Sequence, residues 1–255
     1  MQLIRELPRR DFIAIVVSLA GITLLSWLYL VKMAADMSMP GSMSAMQIPA
    51  WDAGYFWMMF LMWAVMMVGM MLPSVAPMVL IYAGVARKSA GHGMPIAPTG
   101  AFVSGYIAIW LIFSLFATLA QWGLDQAALL SPMMVSNSVG LGGGLLIAAG
   151  IYQWLPIKDR CLQHCRSPVH FITTHWRPGS TGALRMGLSH GAFCLGCCWV
   201  LMSLLFVGGV MNLLWIAAIT LFVLLEKVLP LGDVSGRVVG LLMITAGGLI
   251  AVIGT

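Results

Sequence analysis

The chain is predicted to be an all-α polytopic transmembrane bundle of about seven helices, with its N-terminus in the cytoplasm and its C-terminus outside. Three observations lead there. Hydrophobic residues fill 61% of the 255 positions and charged residues only 8%, against roughly 25% charged in a soluble domain. The mean hydropathy is +0.98. The basic residues cluster between alternate apolar runs. The whole of 1–255 then reads as a single integral membrane domain, because no stretch between the runs is long or polar enough to fold alone. The net charge of +5 is accordingly read as a topology signal and not as a nucleic-acid signal, and no nucleic-acid partner is expected.

A helix needs about 20 apolar residues to cross a hydrocarbon core of ~30 Å. The runs that meet or approach this are 12–31, 55–82, 101–122, 139–155, 184–207, 211–229 and 238–253. The first follows Arg5, Arg9 and Arg10. At about 20 residues it exceeds the roughly 7–15 of a signal-peptide core, so it is expected to stay as a span. The second contains Pro73 and Pro77, which should kink it and free backbone groups toward the interior. The fourth and seventh are short and glycine-rich; Gly140, Gly142, Gly143 and Gly144 offer close backbone approach between helices.

With seven spans, Arg5, Arg9, Arg10, Arg87, Lys88, Lys158, Arg160, Arg166, Arg177, Arg185, Lys227 and Arg237 all fall on one side, and Lys32 on the other. The positive-inside rule makes that side the cytoplasm, as in a bacterial inner membrane. Lys227, at the end of its run, is expected to snorkel toward the cytoplasmic surface.

The residues able to do chemistry are mostly sulfur. Span five reads His190-Gly-Ala-Phe-Cys194-Leu-Gly-Cys197-Cys198. At 3.6 residues per turn His190, Cys194 and Cys197 fall within about 60° of arc, with Cys198 at the edge of that face. One buried cysteine is only a small hydrophobe; three with a histidine suit zinc or copper, and the excess of sulfur favours Cu(I). Span two adds Met59, Met62, Met66 and Met70 at i, i+3, i+7 and i+11, a single stripe. Thioether is a ligand for Cu(I) and a poor one for hard cations. Residue counting puts Met66, Met70, His190 and Cys194 at one level of the membrane, and Glu226 at about the same level. Glu226, with Met62 and Asn212, is expected to surround the ligands, Glu226 as a proton acceptor.

Two further sets flank this interior site. Met33, Met37, Met39, Met43 and Met46 stand among small polar residues in the outer loop, where a capture role for Cu(I) is one reading and a loop lying on the membrane the other. Cys161-Leu-Gln-His164-Cys165 follows span four on the inner side, as a metal-transfer site or a reduced structural pair, since a zinc finger would need a second ligand pair.

The run Tyr152-Gln-Trp-Leu-Pro156-Ile-Lys158, with Cys161 and Cys165-Arg166-Ser-Pro168, is distinctive. So are Met186-Gly-Leu-Ser-His190 through Cys194-Leu-Gly-Cys197-Cys198-Trp199, then Gly208-Gly-Val-Met-Asn212, and Glu226-Lys227 ahead of Pro230. With Trp63, Met66 and Met70-Met71-Leu-Pro73 they resemble a bacterial family of predicted metal-binding integral membrane proteins of unknown function. Some of its members accompany copper oxidases such as tyrosinases and are regarded as membrane copper chaperones. The resemblance covers spans two to seven. The family usually has alanine where Gly69 stands, a change that should open room beside Met70, and the long methionine loop is less general.

The resemblance implies metal handling. The expected cargo is copper as Cu(I), with zinc the alternative metal. The expected partners are membrane lipid and a copper oxidase or soluble copper-binding protein, with self-association left open. Two other classes compete. A quinone-linked thiol oxidoreductase would use Cys194-Leu-Gly-Cys197, but its thiolate would need a metal or a cationic neighbour. A structural or assembly subunit of a membrane oxidase would bind no metal of its own.

Overall fold

The computed structural model describes residues 7–38, 51–131, 134–229 and 232–253. Met37 (as to its side chain), Met39, Met43 and Met46 lie outside the described residues. All helices but one follow the apolar runs or their flanks. They are α1 Arg9–Ser38, α2 Ala53–Gly91, α3 Thr99–Gln126, α4 Val139–Tyr152, α5 Pro156–Arg166, α6 Pro168–His175, α7 Gly179–Ser203, the single turn α8 Leu205–Gly208, α9 Leu213–Val228 and α10 Gly232–Ile253. No strand occurs among the described residues, only an isolated antiparallel bridge between Leu130 and Ser136.

Five of these helices are long and apolar enough to cross a membrane: α1, α2, α3, α7 continued through α8, and α10. The fourth predicted run is different. It makes the 14-residue α4, breaks at Leu155, and restarts as α5 at an angle of 66°. Pro156 sits at the first position of α5, where its missing N–H costs nothing. The sixth run gives only the 16 residues of α9, one side of which is fully buried. Helices this short do not span ~30 Å unaided.

α2 forms the centre. Asp52 caps it, its side chain accepting from Tyr55 N at 2.7 Å. The helix runs unbroken for 39 residues, with Pro73 and Pro77 inside it. Trp63, Met62, Met66, Met67, Met70 and Met71 are all buried. Gly69 faces α1: a methyl added there would meet Ser26 Cβ at 2.9 Å. Its small size serves the α1–α2 contact and not, as expected, space beside Met70.

Glycines set the other close contacts. Added carbons at Gly143 and Gly247 would meet each other's carbonyl oxygens at 2.9 and 2.7 Å, which joins α4 to α10 backbone to backbone. Gly150 and Gly240 repeat the contact two turns along. Gly187 on α7 packs on the Phe102 carbonyl of α3 in the same way. Of the four glycines singled out from the sequence, Gly143 makes this approach, while Gly144 faces open space.

The segment 156–183, expected as an inner loop, is instead two helices folded back on the bundle. The His164 ring stacks on Phe193 of α7 at 4.0 Å, and Phe171 of α6 is buried edge-on to His190 at 5.0 Å. The reason is amphipathicity: α5 carries Leu162, Cys161 and Cys165 toward α7 and Arg160 outward.

Candidate metal site

α7 places Cys194, Cys197 and Cys198 on its buried side. The Cys197 and Cys198 thiols both donate back to the Cys194 carbonyl at 3.0 Å. Cys165, at the end of α5, lies beside Cys194 and Cys197. Four sulfurs from two helices therefore meet around Cys194. The sequence separated Cys165 from this group as part of an inner transfer site; the fold of α5 onto α7 merges them. Cys161 stays at the rim, half-buried, with its Sγ against Gly196.

Two more groups complete the surroundings of Cys194. The Tyr106 hydroxyl on α3 lies 3.1 Å from its sulfur and 3.3 Å from the Met71 carbonyl, to which it donates. Lys227 Nζ donates to the Cys194 sulfur at 2.9 Å and to Ser74 Oγ at 3.1 Å. Lys227 is 7% exposed, so the expected snorkelling is wrong. α9 ends before its lysine can reach a surface, and the sulfur and hydroxyl offer the ammonium partners that the apolar interior otherwise lacks. Tyr106 and Ser74 escaped the sequence reading because neither stands in a recognisable spacing. Lys227 carried a signal, an ionisable residue in an apolar run, that was assigned to topology.

His190 sits one turn below Cys194, 2% exposed, between the rings of Phe102, Tyr106 and Phe171. Its Nδ1 is buried without a hydrogen-bond partner. Met62, Met66 and Met70 are buried in the same core. Met70 adjoins Met71, whose carbonyl shares the Tyr106 hydroxyl with Cys194, so the inner end of the methionine stripe lies at the level of the thiols.

Glu226 does not face the sulfurs. It makes an ion pair with Lys158 of α5, side chains 3% and 1% exposed, and Lys158 also donates to the side-chain amide oxygen Oε1 of Gln153. Arg166 Nε donates to the Glu226 backbone carbonyl at 2.8 Å. Lys158 thus joins Lys227 as a basic residue consumed inside the protein. Asn212 caps α9, accepting from Trp215 N at 3.2 Å and donating to Gly208 O at 3.1 Å. That is a whole helix, about 20 Å, from Glu226. His164 Nδ1 is held by the Arg160 carbonyl at 2.8 Å, with its ring 6.1 Å from that of His175.

No three His, Cys, Asp or Glu side chains among the described residues stand as a ready-made metal cage. The sulfurs are joined to one another, to a hydroxyl and to an ammonium instead, an arrangement suited to a soft cation taken up by few ligands. The model of a family described as a copper chaperone, PpoB2, matches residues 60–250. The chain belongs to that copper chaperone family. No curated protein and no solved structure matches it. The match holds the methionine stripe from Met62, the thiols, His190 and Lys227, and leaves out α1 and the outer methionine loop. A helical, strongly apolar chain of this family is a membrane copper-handling protein.

Proposed function

We propose that this copper chaperone carries Cu(I) in its interior, on Cys194 with Cys197 or Cys198, and hands it to a copper enzyme or soluble copper protein. Cys165 offers a further sulfur, and Met70, Met66 and His190 line the way in. The observation that carries the reading is the contact of Lys227 with Cys194. Cu(I) held by two thiolates bears one net negative charge, and a buried charge must be paired. Lys227 supplies one positive charge at that place. Zinc on four thiolates would bear two, against one ammonium. The outer methionines Met37, Met39, Met43 and Met46 would collect the metal, and Cys161 with His164 would receive it on the inner side.

The membrane arrangement that fits is seven passes with the N-terminus in the cytoplasm. The sequence distribution of basic residues supports it, as does the Arg87–Asp11 ion pair, which ties the end of α2 to the start of α1. In this reading α9 and the bent α4–α5 pair supply the two passes beyond the five long helices.

The test is elemental analysis of the purified protein beside a Cys194→Ser/Cys197→Ser/Cys198→Ser variant. Copper in the first and none in the second supports the reading; equal copper in both, or none in either, refutes it. A thiol oxidoreductase is the second reading, because Lys227 is the cationic neighbour that Cys194 would need. A mixed disulfide trapped on Cys194, with no metal bound, would favour it.

A further inference from the structure

At the other end of α2 stands a second group of sulfurs. Met59 lies twelve residues before Met71, about 18 Å along the helix from the level of the thiols. Its Sδ accepts a hydrogen bond from Gln121 Nε2 of α3 at 3.5 Å, and the Sδ of Met134, from the loop after α3, accepts from the same nitrogen at 3.4 Å. Trp63 Nε1 donates to Gln121 Oε1 at 2.7 Å. An indole nitrogen can only donate, so the amide oxygen must face Trp63 and the NH₂ must face the two sulfurs. Met59 and Gln121 are each 2% exposed, Trp63 0% and Met134 9%.

The backbone is arranged to bring Met134 here. Its φ is +56°, in the left-handed region that a residue with a side chain seldom adopts. The surrounding loop fixes it: Met134 N donates to Ser131 O at 2.8 Å, Ser131 N to Val135 O at 2.8 Å, and Ser136 N to Phe206 O at 2.9 Å. Phe206 in turn packs on Trp63 at 5.3 Å. Strain kept in place by so many contacts is a mark of a functional position. An amide aimed at two thioethers is a weak set of hydrogen bonds for so buried a group, since methionine sulfur is a poor acceptor. A soft cation is a better partner for the same two sulfurs.

We propose that Met59 and Met134, brought together at Gln121, form a second Cu(I) site, a thioether station at the end of α2 remote from the thiols. The inference rests on copper being the cargo, but not on which residues hold it in the interior. Two neutral thioethers bind Cu(I) less tightly than thiolates do, which suits a place of exchange. From there Met62, Met66 and Met70, all buried on the same helix, lead toward Cys194. Trp51, which follows the methionine-bearing segment in sequence, donates its indole N–H to Asp125 near the end of α3 at 2.6 Å.

The experiment is an anaerobic titration of the full-length protein in detergent with Cu(I), against a chelator of known affinity. The wild type, Met59→Leu/Met134→Leu and Cys194→Ser/Cys197→Ser/Cys198→Ser are compared. The wild type should bind in a tight and a weaker class. The methionine variant should weaken or lose only the weaker class, by at least about tenfold; its intact tight class shows that it is folded. Met78→Leu, a buried methionine at the other end of α2, should change neither. A wild type without a weaker class, or a methionine variant that keeps it, overturns the station. Should the cysteine variant keep the tight class, the thiol site fails by itself, and the station still stands if the weaker class needs Met59 and Met134.

Discussion

Replacing Glu226 by leucine should unfold the protein more readily without touching copper. Glu226 and Lys158 form an ion pair with side chains 3% and 1% exposed. Lys158 has one further acceptor, the neutral side-chain oxygen Oε1 of Gln153. Glu226→Leu would leave the ammonium buried against that neutral group, and removing one partner of such a pair costs about 3–5 kcal/mol. Lys158→Met should cost a similar amount by stranding the carboxylate. The double variant removes both charges, and exchanges of this kind are often close to neutral. It loses the bond to Gln153, about 1–3 kcal/mol for an unsatisfied buried group, so it should lie well above either single variant. The assay is unfolding in mixed micelles, followed by far-ultraviolet circular dichroism across wild type, both singles and the double. A double variant as unstable as the sum of the singles would refute the pairing argument. So would a Glu226→Leu protein of full stability that had lost its copper, since Glu226 would then belong to the metal site.

Lys227→Met should weaken Cu(I) binding by at least about tenfold, because the interior complex loses its counter-charge; unchanged affinity in a chelator competition would remove the charge argument. Gly187→Leu should prevent stable assembly, since even a methyl there collides with the Phe102 carbonyl, and a monodisperse, normally melting variant would contradict the packing. Met66→Leu/Met70→Leu should fold, the exchange being close to volume-conserving, yet lower copper delivery in a cell-based assay. Unimpaired delivery would take the methionine stripe out of the route.

Most of the fold was legible because hydropathy over 20 residues is a strong signal, and α1, α2, α3 and α7 coincide with it. Hydropathy does not report helix length or bends: the run 211–229 gives only the 16 residues of α9, and the chain turns by 66° between α4, which ends at Tyr152, and α5, which begins at Pro156. The three cysteines of α7 and His190 were readable from helical periodicity alone. Cys165 was not read as part of the same cluster, because twenty-eight residues and two turns of direction separate it from Cys194. The basic residues Lys158 and Lys227 were both read as topology signals, because charge near the end of an apolar run usually is one; here each found a buried partner instead. Gln121 carried an unused signal, a polar side chain near the end of the apolar run 101–122.

The central claim is that copper sits as Cu(I) among the thiols around Cys194. X-ray absorption at the copper edge of the reconstituted protein tests it most directly. The account predicts the edge of a Cu(I) ion with two or three sulfur neighbours, and a Cys194→Ser protein in which that sulfur shell is reduced or replaced. An oxygen- and nitrogen-ligated Cu(II) centre, or a sulfur shell unchanged by Cys194→Ser, would contradict it.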